Sequence, residues 1–269
     1  MSWVPKQPRD DVNVSATHPL VEAGTLIAGL AALSVVLVVL LVFLIEIVLW
    51  FVPAEKEAEL FSNWLPADLT TVSPDDERLD ATQALVDQLA RLWPDSPYEF
   101  RVEIDTSDTA NAMAFPGGLI VVTRGLLDEA ESQNELAFVL GHELGHYRNR
   151  DHIRSLGRLV ALALLFSVTT GSDVAGLGLK VSDLTLRSFS RKQELAADEF
   201  GLALVDRHYG HVHDAWRMFE RWQSQRGSQK GIGAYTSTHP QTDDRIRRLQ
   251  RLAERRGWPI NGPVTPLNW

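Results

Sequence analysis

Cysteine is absent from the 269 residues of the sequence. This absence excludes disulfides and thiolate zinc sites, so any bound metal must be held by His, Asp or Glu. Basic charge is also in short supply, since 26 Lys and Arg stand against 35 Asp and Glu and give a formal net charge of −9. Because binding to nucleic-acid phosphates needs clustered Lys and Arg, we expect no nucleic-acid partner.

Charged residues are missing altogether between Thr25 and Ile45, and the apolar run continues beyond Glu46 to Val52. A helix of about 20 apolar residues spans the hydrocarbon core of a bilayer. The residues that follow offer no small-residue site of the kind at which a signal peptide is cleaved. We therefore predict an N-terminal tail at residues 1–23, an uncleaved transmembrane anchor at residues 24–52, and the lipid bilayer as a partner.

The charges on either side of the predicted anchor indicate its orientation. Lys6 and Arg9 precede it, whereas Lys56 alone follows closely, among three glutamates. The positive-inside rule then places the N-terminus in the cytoplasm. We expect a single-pass protein of the cell inner membrane, with its larger part on the non-cytoplasmic, periplasmic side.

Beyond the anchor, helical and extended patterns alternate. Residues 53–98 form an amphipathic connector and a first helix, which starts near Ser73 and ends before Pro94. Alternation at residues 98–105 and 111–115, and the turn at 116–118 before an apolar run, predict a small sheet. Helical periodicity then runs from Leu126 to Leu140 and continues into the next segment without a break.

Residues 156–179 form a second apolar stretch, which glycine, threonine and Asp173 interrupt. Its uninterrupted apolar core is short for a helix that spans a bilayer, so a buried or membrane-surface helix is favoured over a second membrane segment. Three helical patterns follow, and for the last, which is basic, an ordinary exposed face is favoured over lipid binding. Together these patterns predict a mainly α fold with a small β-sheet (α+β).

The segment VLGHELGHYRNRDH, residues 139–152, carries two histidines four positions apart. On a helix, His142 and His146 project from the same face one turn apart and can bind one metal ion. Glu143 is rotated by about 100° from His142, so it can act on a water beside the metal instead of sharing the coordination. The pattern is typical of a metal-dependent hydrolase.

A catalytic zinc site needs a third protein ligand, which in this chain must be a carboxylate or a histidine. Glu194 and Asp198 lie on one helical face of the segment ELAAD, after a connection long enough to fold that helix against the first. Two acids on a helix most often form a solvated face. Beside two histidines that lack a further ligand, they become the leading candidates to complete the site.

These segments resemble a known family. GHELGH, QELAADEFG and THPQTDDRI, preceded by NAMAFPGGLIVVTRGLL, are similar in kind and order to the HtpX and CAAX-prenyl-endopeptidase family of membrane-associated zinc metalloproteases, which are gluzincins. The four blocks lie within residues 100–250. The resemblance implies a zincin-type catalytic domain at residues 99–269 that binds one Zn²⁺ per chain.

The resemblance also implies roles for individual residues. His142, His146 and Glu194 would be the zinc ligands, and Glu143 the general base. Asp198 would orient a histidine ligand by accepting its free N–H.

Further roles follow from the same resemblance. His239 would either stabilise the oxyanion or occupy the open coordination position in a resting state, and Arg245 would pair with an acid near the site. The segment with Asn111, Met113 and Ala114 would offer a strand edge to which an extended substrate adds by main-chain hydrogen bonds.

The remaining histidines suggest weaker interpretations. His208, His211 and His213 could bind a metal, but no acid completes the set, and surface positions are favoured. His152 follows the charged end of the motif helix and is expected to be solvated.

The function expected from the resemblance is endoproteolysis of membrane-associated or misfolded polypeptides in envelope quality control. A second interpretation is a membrane-anchored zinc-binding adaptor or chaperone that holds polypeptides without cutting them, although Glu143 would then have no purpose. A third is a prenyl-protein processing protease, against which stands the single clear membrane span. The oligomeric state is left open.

Overall fold

The computed structural model describes residues 17–62, 69–73, 76–155, 157, 189–224, 235, 239 and 243–269. The helices in these ranges are α1 (Pro19–Phe51), α2 (Ala54–Phe61), α3 (Glu77–Ala90), α4 (Arg124–Glu129), α5 (Gln133–Arg148), α6 (Arg191–Tyr209), α7 (Arg217–Ser224) and α8 (Asp243–Arg256). The strands are β1 (Arg101–Asp105), β2 (Ala112–Phe115) and β3 (Leu119–Thr123). The predicted fold class, mainly helical with a small sheet, is confirmed.

Helix α1 has 33 residues and a mean hydropathy of 3.2 in its most apolar window, none of which is buried inside the protein. At about 1.5 Å per residue it is longer than the ~30 Å hydrocarbon core of a bilayer. Large apolar side chains such as Leu26, Leu30 and Phe43 are more than half exposed along it. By length and composition, α1 is the one helix in the described ranges that could cross a membrane.

The sheet has the order β1-β3-β2, with β1 parallel and β2 antiparallel to β3. All five residues of the central strand β3 are buried. A short 3₁₀ turn, Pro116–Gly118, joins β2 to β3, and its two glycines have φ angles of +81° and +88° that side-chain-bearing residues rarely adopt. Within the described ranges, β2 is an edge strand.

Tyr147 fixes this hairpin to the metal-motif helix. Its hydroxyl lies 2.6 Å from the carbonyl oxygens of both Phe115 and Leu119, which flank the turn. Because Tyr147 is fully buried on α5, the contact sets the distance between β2 and the face of α5 that carries the histidines.

The helix predicted to run unbroken from Leu126 through the motif is instead two helices, and that prediction is wrong. Ala130 and Ser132 have extended backbone angles between α4 and α5. The Ser132 hydroxyl accepts the backbone N–H of Glu135, which caps the new helix start. The Ser-x-x-Glu spacing is a helix-start signal that the apolar periodicity obscured.

Helices α5 and α6 pack against each other across the centre of the domain. Every residue of α5 from Asn134 to Tyr147 is buried. Helix α6 starts at a capping box made by Ser190 and Gln193 and ends at Gly210 in the left-handed conformation. The two helices therefore have fixed ends as well as a shared buried face, which sets the relative position of the side chains they bring together.

A buried polar joint connects the end of α1 to the residues after α5. Arg150 donates from Nη1 to the carbonyl oxygens of Leu49 (2.8 Å) and Val52 (2.7 Å), and its Nε lies 3.1 Å from Glu57. His152 also contacts Glu57 and is only 3% exposed. The expectation that His152 is solvated is therefore wrong, because a carboxylate 95 residues earlier folds over it.

Several predicted segments lie outside the described residues. These are the N-terminal charges before residue 17, most of the apolar stretch 156–179, and most of the glycine-rich loop 224–237.

Candidate metal centre

Four buried side chains converge between α5 and α6, and one donor atom of each lies within 4.8 Å of the others. They are His142, His146, Glu194 and His239. The Nε2 atoms of the two α5 histidines are 3.1 Å apart, and Nδ1 of His239 is 3.1 Å from Nε2 of His142. Glu194 Oε1 lies 3.1 Å from the same Nδ1 and 3.6 Å from Nε2 of His146.

Each α5 histidine has a carboxylate behind its ring. Asp198 Oδ1 lies 3.0 Å from Nδ1 of His142, and Asp151 Oδ2 lies 3.0 Å from Nδ1 of His146. A carboxylate acceptor at Nδ1 keeps the proton there, so both Nε2 atoms present lone pairs to the same space. Two facing lone pairs repel each other unless a cation lies between them.

The donor set fits a metal ion, because a cation would relieve the repulsion between these lone pairs. Two imidazole nitrogens and a carboxylate are ligands that zinc commonly takes in catalytic sites. Oε2 of Glu194 is buried and has no hydrogen-bond partner among the described residues, so it has an unused acceptor. The histidines and Glu194 would hold the ion, and the carboxylates behind the rings would orient them.

Arg245 from α8 ties Asp198 in place. Its Nε and Nη2 lie 3.0 and 2.6 Å from the two oxygens of Asp198, and Nη1 lies 3.3 Å from Oε2 of Glu194. The guanidinium is 3% exposed and also sits over the ring of Phe219, 4.6 Å from its centroid. The buried positive charge of this fork therefore balances two acids at once.

The electrostatics differ between the two α5 histidines. Burial lowers the pKa of His142 to about 3, and the charge of Arg245 acts in the same direction, against the hydrogen bond to Asp198 and the charge of Glu194. For His146, burial also acts to lower the pKa, but the hydrogen bond to Asp151 and the charges of the nearby carboxylates together outweigh burial and raise the pKa. Burial acts to raise the pKa of Asp198, yet Arg245 and His142 outweigh it and hold that pKa well below its usual range.

Glu143 stands beside the donor group without a hydrogen-bond partner for either oxygen among the described residues. It is 1% exposed, and burial raises its pKa to about 8. Its nearest polar neighbours include Nε2 of His239 at 3.5 Å and the backbone of Ala114, which lowers the pKa slightly. A buried carboxyl group with an unused acceptor and a pKa near neutrality suits proton transfer.

His239 reaches the group from outside the helix pair. Its backbone N–H donates to the backbone carbonyl oxygen of Tyr235 (2.8 Å), and the Tyr235 ring stacks on the imidazole at 4.5 Å between centroids. Tyr235 in turn donates its backbone N–H to the carbonyl of Ala110, just before β2. The imidazole is thus positioned by the segment that leads into the edge strand.

The strand residues predicted to bind substrate lie at different distances from the donor group. Ala114 faces Glu143 through its backbone, whereas Met113 packs against a small apolar cluster of Phe115, Leu119 and Val121. Asn111 is 2% exposed, and its side-chain oxygen accepts the N–H of Ala112, so it shapes the start of β2.

Sequence reasoning missed Asp151 and Phe189. Asp151 is anchored by Gln193, whose Nε2 lies 2.6 Å from its Oδ1. The ring of Phe189 stacks on that of His146 at 4.0 Å between centroids. The only sequence signal for Asp151 is an acid shortly after a motif that needs carboxylates behind its histidines. For Phe189, the sequence contains no signal.

The other histidines do not join the group in the described ranges. His211 is buried at 5% exposure, which contradicts the expected surface position, because the C-terminal segment covers it at Gly262. The Nδ1 atom of His213 lies 2.6 Å from the carbonyl of Gly262, and His208 is half-buried.

Comparison with known proteins finds one matching family model and several related metalloendopeptidases. The family model described as Peptidase family M48 matches residues 77–253. The mitochondrial metalloendopeptidase OMA1 of Danio rerio is 30% identical over 201 residues, covering 67% of this chain and 42% of that protein. The protease HtpX homolog of Salinibacter ruber is 30% identical over 207 residues, covering 64% and 74%. The OMA1 of Arabidopsis thaliana is 35% identical over 140 residues, covering 52% and 28%.

The resemblance stated from the sequence is thereby confirmed, since an HtpX homolog and several OMA1 proteins are among the relatives. The chain spans less than half the length of the OMA1 proteins that it matches.

Proposed function

The chain belongs to peptidase family M48, and from this premise we propose that it is a membrane-anchored, zinc-dependent endopeptidase. Its substrates are membrane-associated or misfolded polypeptides, which it removes in quality control of the cell envelope. The observation that carries the proposal is the convergence of His142, His146 and Glu194 beside Glu143, whose buried carboxyl group has no hydrogen-bond partner in the described ranges.

Zinc, one ion per chain, is the proposed metal. Its catalytic sites in proteins commonly combine two histidines with a glutamate and keep a further position open, and no thiolate is present that would favour another set. When bound, zinc supplies Lewis acidity, which polarises a carbonyl and makes water a nucleophile near neutral pH.

Glu143 is proposed as the general base and then the general acid. Its carboxylate accepts the proton of the attacking water and delivers it to the leaving amine. Burial raises its pKa to about 8, and a nearby divalent cation would lower the pKa again, toward the range in which both roles are possible at neutral pH.

His239 is proposed to have two positions. In the described arrangement its Nδ1 lies with the other three donor atoms, where it would compete with a substrate carbonyl for the ion. Movement away from the two α5 histidines would free that place and leave the ring able to donate a hydrogen bond to the developing oxyanion. Asp198, held by Arg245, is proposed to keep His142 oriented throughout.

The substrate is proposed to bind in extended form along the edge strand β2, by main-chain hydrogen bonds near Ala114. This position is supported by the free edge of β2 within the described ranges and by the backbone of Ala114 beside Glu143. Met113 and Asn111 would shape this strand.

Helix α1 is the proposed anchor. The proposed organisation is a tail at residues 1–23, the anchor at 24–52, a connector with the first helix at 53–98 and the catalytic domain at 99–269. We place the protein in the cell inner membrane as a single-pass protein with its catalytic domain on the periplasmic side, on the charge distribution around the anchor.

The function is tested with the full chain purified in detergent. Elemental analysis is expected to find one zinc per chain, and the protein should degrade denatured casein until a chelator removes the metal. Protease accessibility in spheroplasts should show the domain outside the cytoplasm. A zinc-free protein, or one that leaves casein intact when loaded with zinc, would overturn the proposal.

A second candidate function is a zinc-binding adaptor that holds polypeptides without cutting them. One observation favours it: four protein donors converge, and a site closed by four protein ligands is the usual structural type. The two candidates differ in whether bound casein is recovered as fragments or intact.

A further inference from the structure

A cavity of about 230 Å³ lies directly beside the donor group. Helices α6 and α8 form its walls, and it shares Glu194, Asp198 and Arg245 with the metal centre. A side chain entering this cavity would therefore lie next to Glu194, one of the four donor residues.

The cavity is lined by three arginines, Arg191, Arg245 and Arg248. Two acids, Glu194 and Asp198, share the lining, but both are already engaged. Asp198 is held by His142 and by the fork of Arg245, and Glu194 faces the donor atoms where a cation would neutralise it. The uncompensated charge of the lining is therefore positive.

Two of these arginines have few or no partners for their guanidinium groups in the described ranges. In the described ranges Arg191 is exposed and has no hydrogen bond or ion pair, and Arg248 has a single ion contact, to Asp244 at 4.0 Å. Arg245 adds a third, buried guanidinium, whose Nη1 lies 3.3 Å from Oε2 of Glu194 and whose other two nitrogens hold Asp198. The first turn of α6, from which Arg191 projects, contributes the positive end of a 19-residue helix.

The apolar part of the lining is small. Phe189 is stacked on His146, so its ring is already in contact with an imidazole, and Leu195 is 39% exposed. These residues can contact the methylene groups of a short acidic side chain while the arginines bind its carboxylate by forked hydrogen bonds.

We propose that this cavity is the subsite that selects an acidic side chain, Glu or Asp, adjacent to the scissile peptide bond, and that Arg191 and Arg248 determine this preference. The inference rests on the proposed endopeptidase function and specifies its substrate class. Lysine and arginine side chains are excluded from the subsite by like-charge repulsion.

The test uses the full-length, zinc-loaded protein in detergent and quenched fluorescent peptides that differ at one position only. That position, placed on either side of the bond cut in casein, carries Glu, Gln, Leu or Lys. On one side, Glu is expected to exceed Gln by roughly tenfold in kcat/KM, as one charge-assisted contact allows, and Lys to be the poorest. Equal rates for Glu and Gln, or a preference for Leu, would overturn the inference while leaving the endopeptidase intact.

Charge reversal identifies the residues responsible. The double change Arg191→Glu with Arg248→Glu should reverse the order of the Glu and Lys peptides in kcat/KM. Arg247→Glu is the matched control, since Arg247 lies on the same helix with a side chain that is 61% exposed and does not line the cavity. An unchanged preference in the double variant would contradict the assignment.

A binding measurement separates this inference from the proposed activity. Fluorescence anisotropy with Glu143→Gln protein should show the Glu peptide bound about tenfold more tightly than the Gln peptide. This difference should be lost when Arg191→Glu and Arg248→Glu are combined with Glu143→Gln. If the zinc-loaded protein cuts no peptide, the endopeptidase is overturned, yet this difference in binding still supports an acid-selective site, and its absence rejects one.

Discussion

Asp151 lies behind His146 as Asp198 lies behind His142, with 3.0 Å from carboxylate oxygen to Nδ1 in both pairs. The two acids come from different places, since Asp198 is on α6 and Asp151 follows the end of α5. Gln193, in the first turn of α6, holds Asp151 by a 2.6 Å hydrogen bond. Both histidines thus depend on α6, directly or through one side chain.

Removing the charge of Asp151 should weaken metal binding. In Asp151→Asn, His146 loses the anionic acceptor that fixes its tautomer and increases its basicity, so zinc affinity should fall about 10- to 100-fold. Competition with a chromophoric chelator measures this. Asp95→Asn, at an exposed position outside the metal centre, is the control and should bind zinc like the unmodified protein. Equal affinity for the Asp151 and Asp95 variants would refute the role.

A methyl group at Gly145 should separate the two helices of the site. A Cβ there would lie 2.6 Å from Cα and 2.9 Å from the carbonyl oxygen of Ala197 on α6, distances that backbone atoms cannot relieve. Gly145→Ala should lower the free energy of unfolding by about 2 kcal/mol. The midpoint of thermal unfolding should fall by about 5 °C.

The Gly145→Ala change should also lower zinc affinity, because Glu194 would move away from the histidines. The matched control is Gly29→Ala on α1, where an added Cβ meets nothing within 4 Å. Differential scanning fluorimetry and zinc titration of both variants decide the matter. A Gly145→Ala protein with unchanged stability and affinity would mean that the close helix approach is not required.

The joint at Glu57 should make stability depend on acidic pH. Burial acts to raise the pKa of Glu57, but the contacts with His152 and Arg150 outweigh it and hold the pKa below its usual 4.5. The stabilisation is therefore fully present above about pH 4.5 and is lost as pH falls through the lower, folded-state pKa. Glu57→Gln should cost about 3 kcal/mol at pH 7, since it leaves the partly buried Arg150 and the buried His152 without their carboxylate partner.

The stability difference between Glu57→Gln and the unmodified protein should narrow below pH 4.5. Thermal unfolding from about pH 3 to about pH 8 measures it. Glu59→Gln serves as the control, because that carboxylate is 71% exposed in its pair with Lys56 and should change stability little at any pH. A gap between the Glu57 variant and the unmodified protein that stays constant with pH would contradict the linkage.

Local spacing predicted the parts of the site that one element carries. His142, Glu143 and His146 follow from a single helical turn, and the hairpin follows from its two glycines. Glu194 and Asp198 could be proposed together as candidates, because a site without cysteine needs acids and their spacing puts both on one face of a helix. The resemblance then assigned them distinct roles, and the structure places one toward the donors and the other toward Arg245.

Contacts between distant segments could not be predicted in this way. His152 was expected in solvent because it follows the charged run RNRD at residues 148–151, yet Glu57 covers it from the connector. The pairing of Asp151 with His146 depends on the backbone turn at Arg150, where φ is +55°, and on Gln193 from another helix. The break before Ser132 was hidden because α4 and α5 both continue the apolar pattern.

The most direct test of the central claim is the variant Glu143→Gln, measured for zinc content and casein turnover in the same preparation. The substitution keeps the size of the side chain but replaces the carboxylate with an amide that cannot accept a proton, and Glu143 is not among the four donor residues. We expect the Glu143→Gln variant to bind one zinc per chain, as the unmodified protein does, and to lose turnover by at least about 100-fold. A zinc-loaded variant that cleaves casein at the unmodified rate would contradict it.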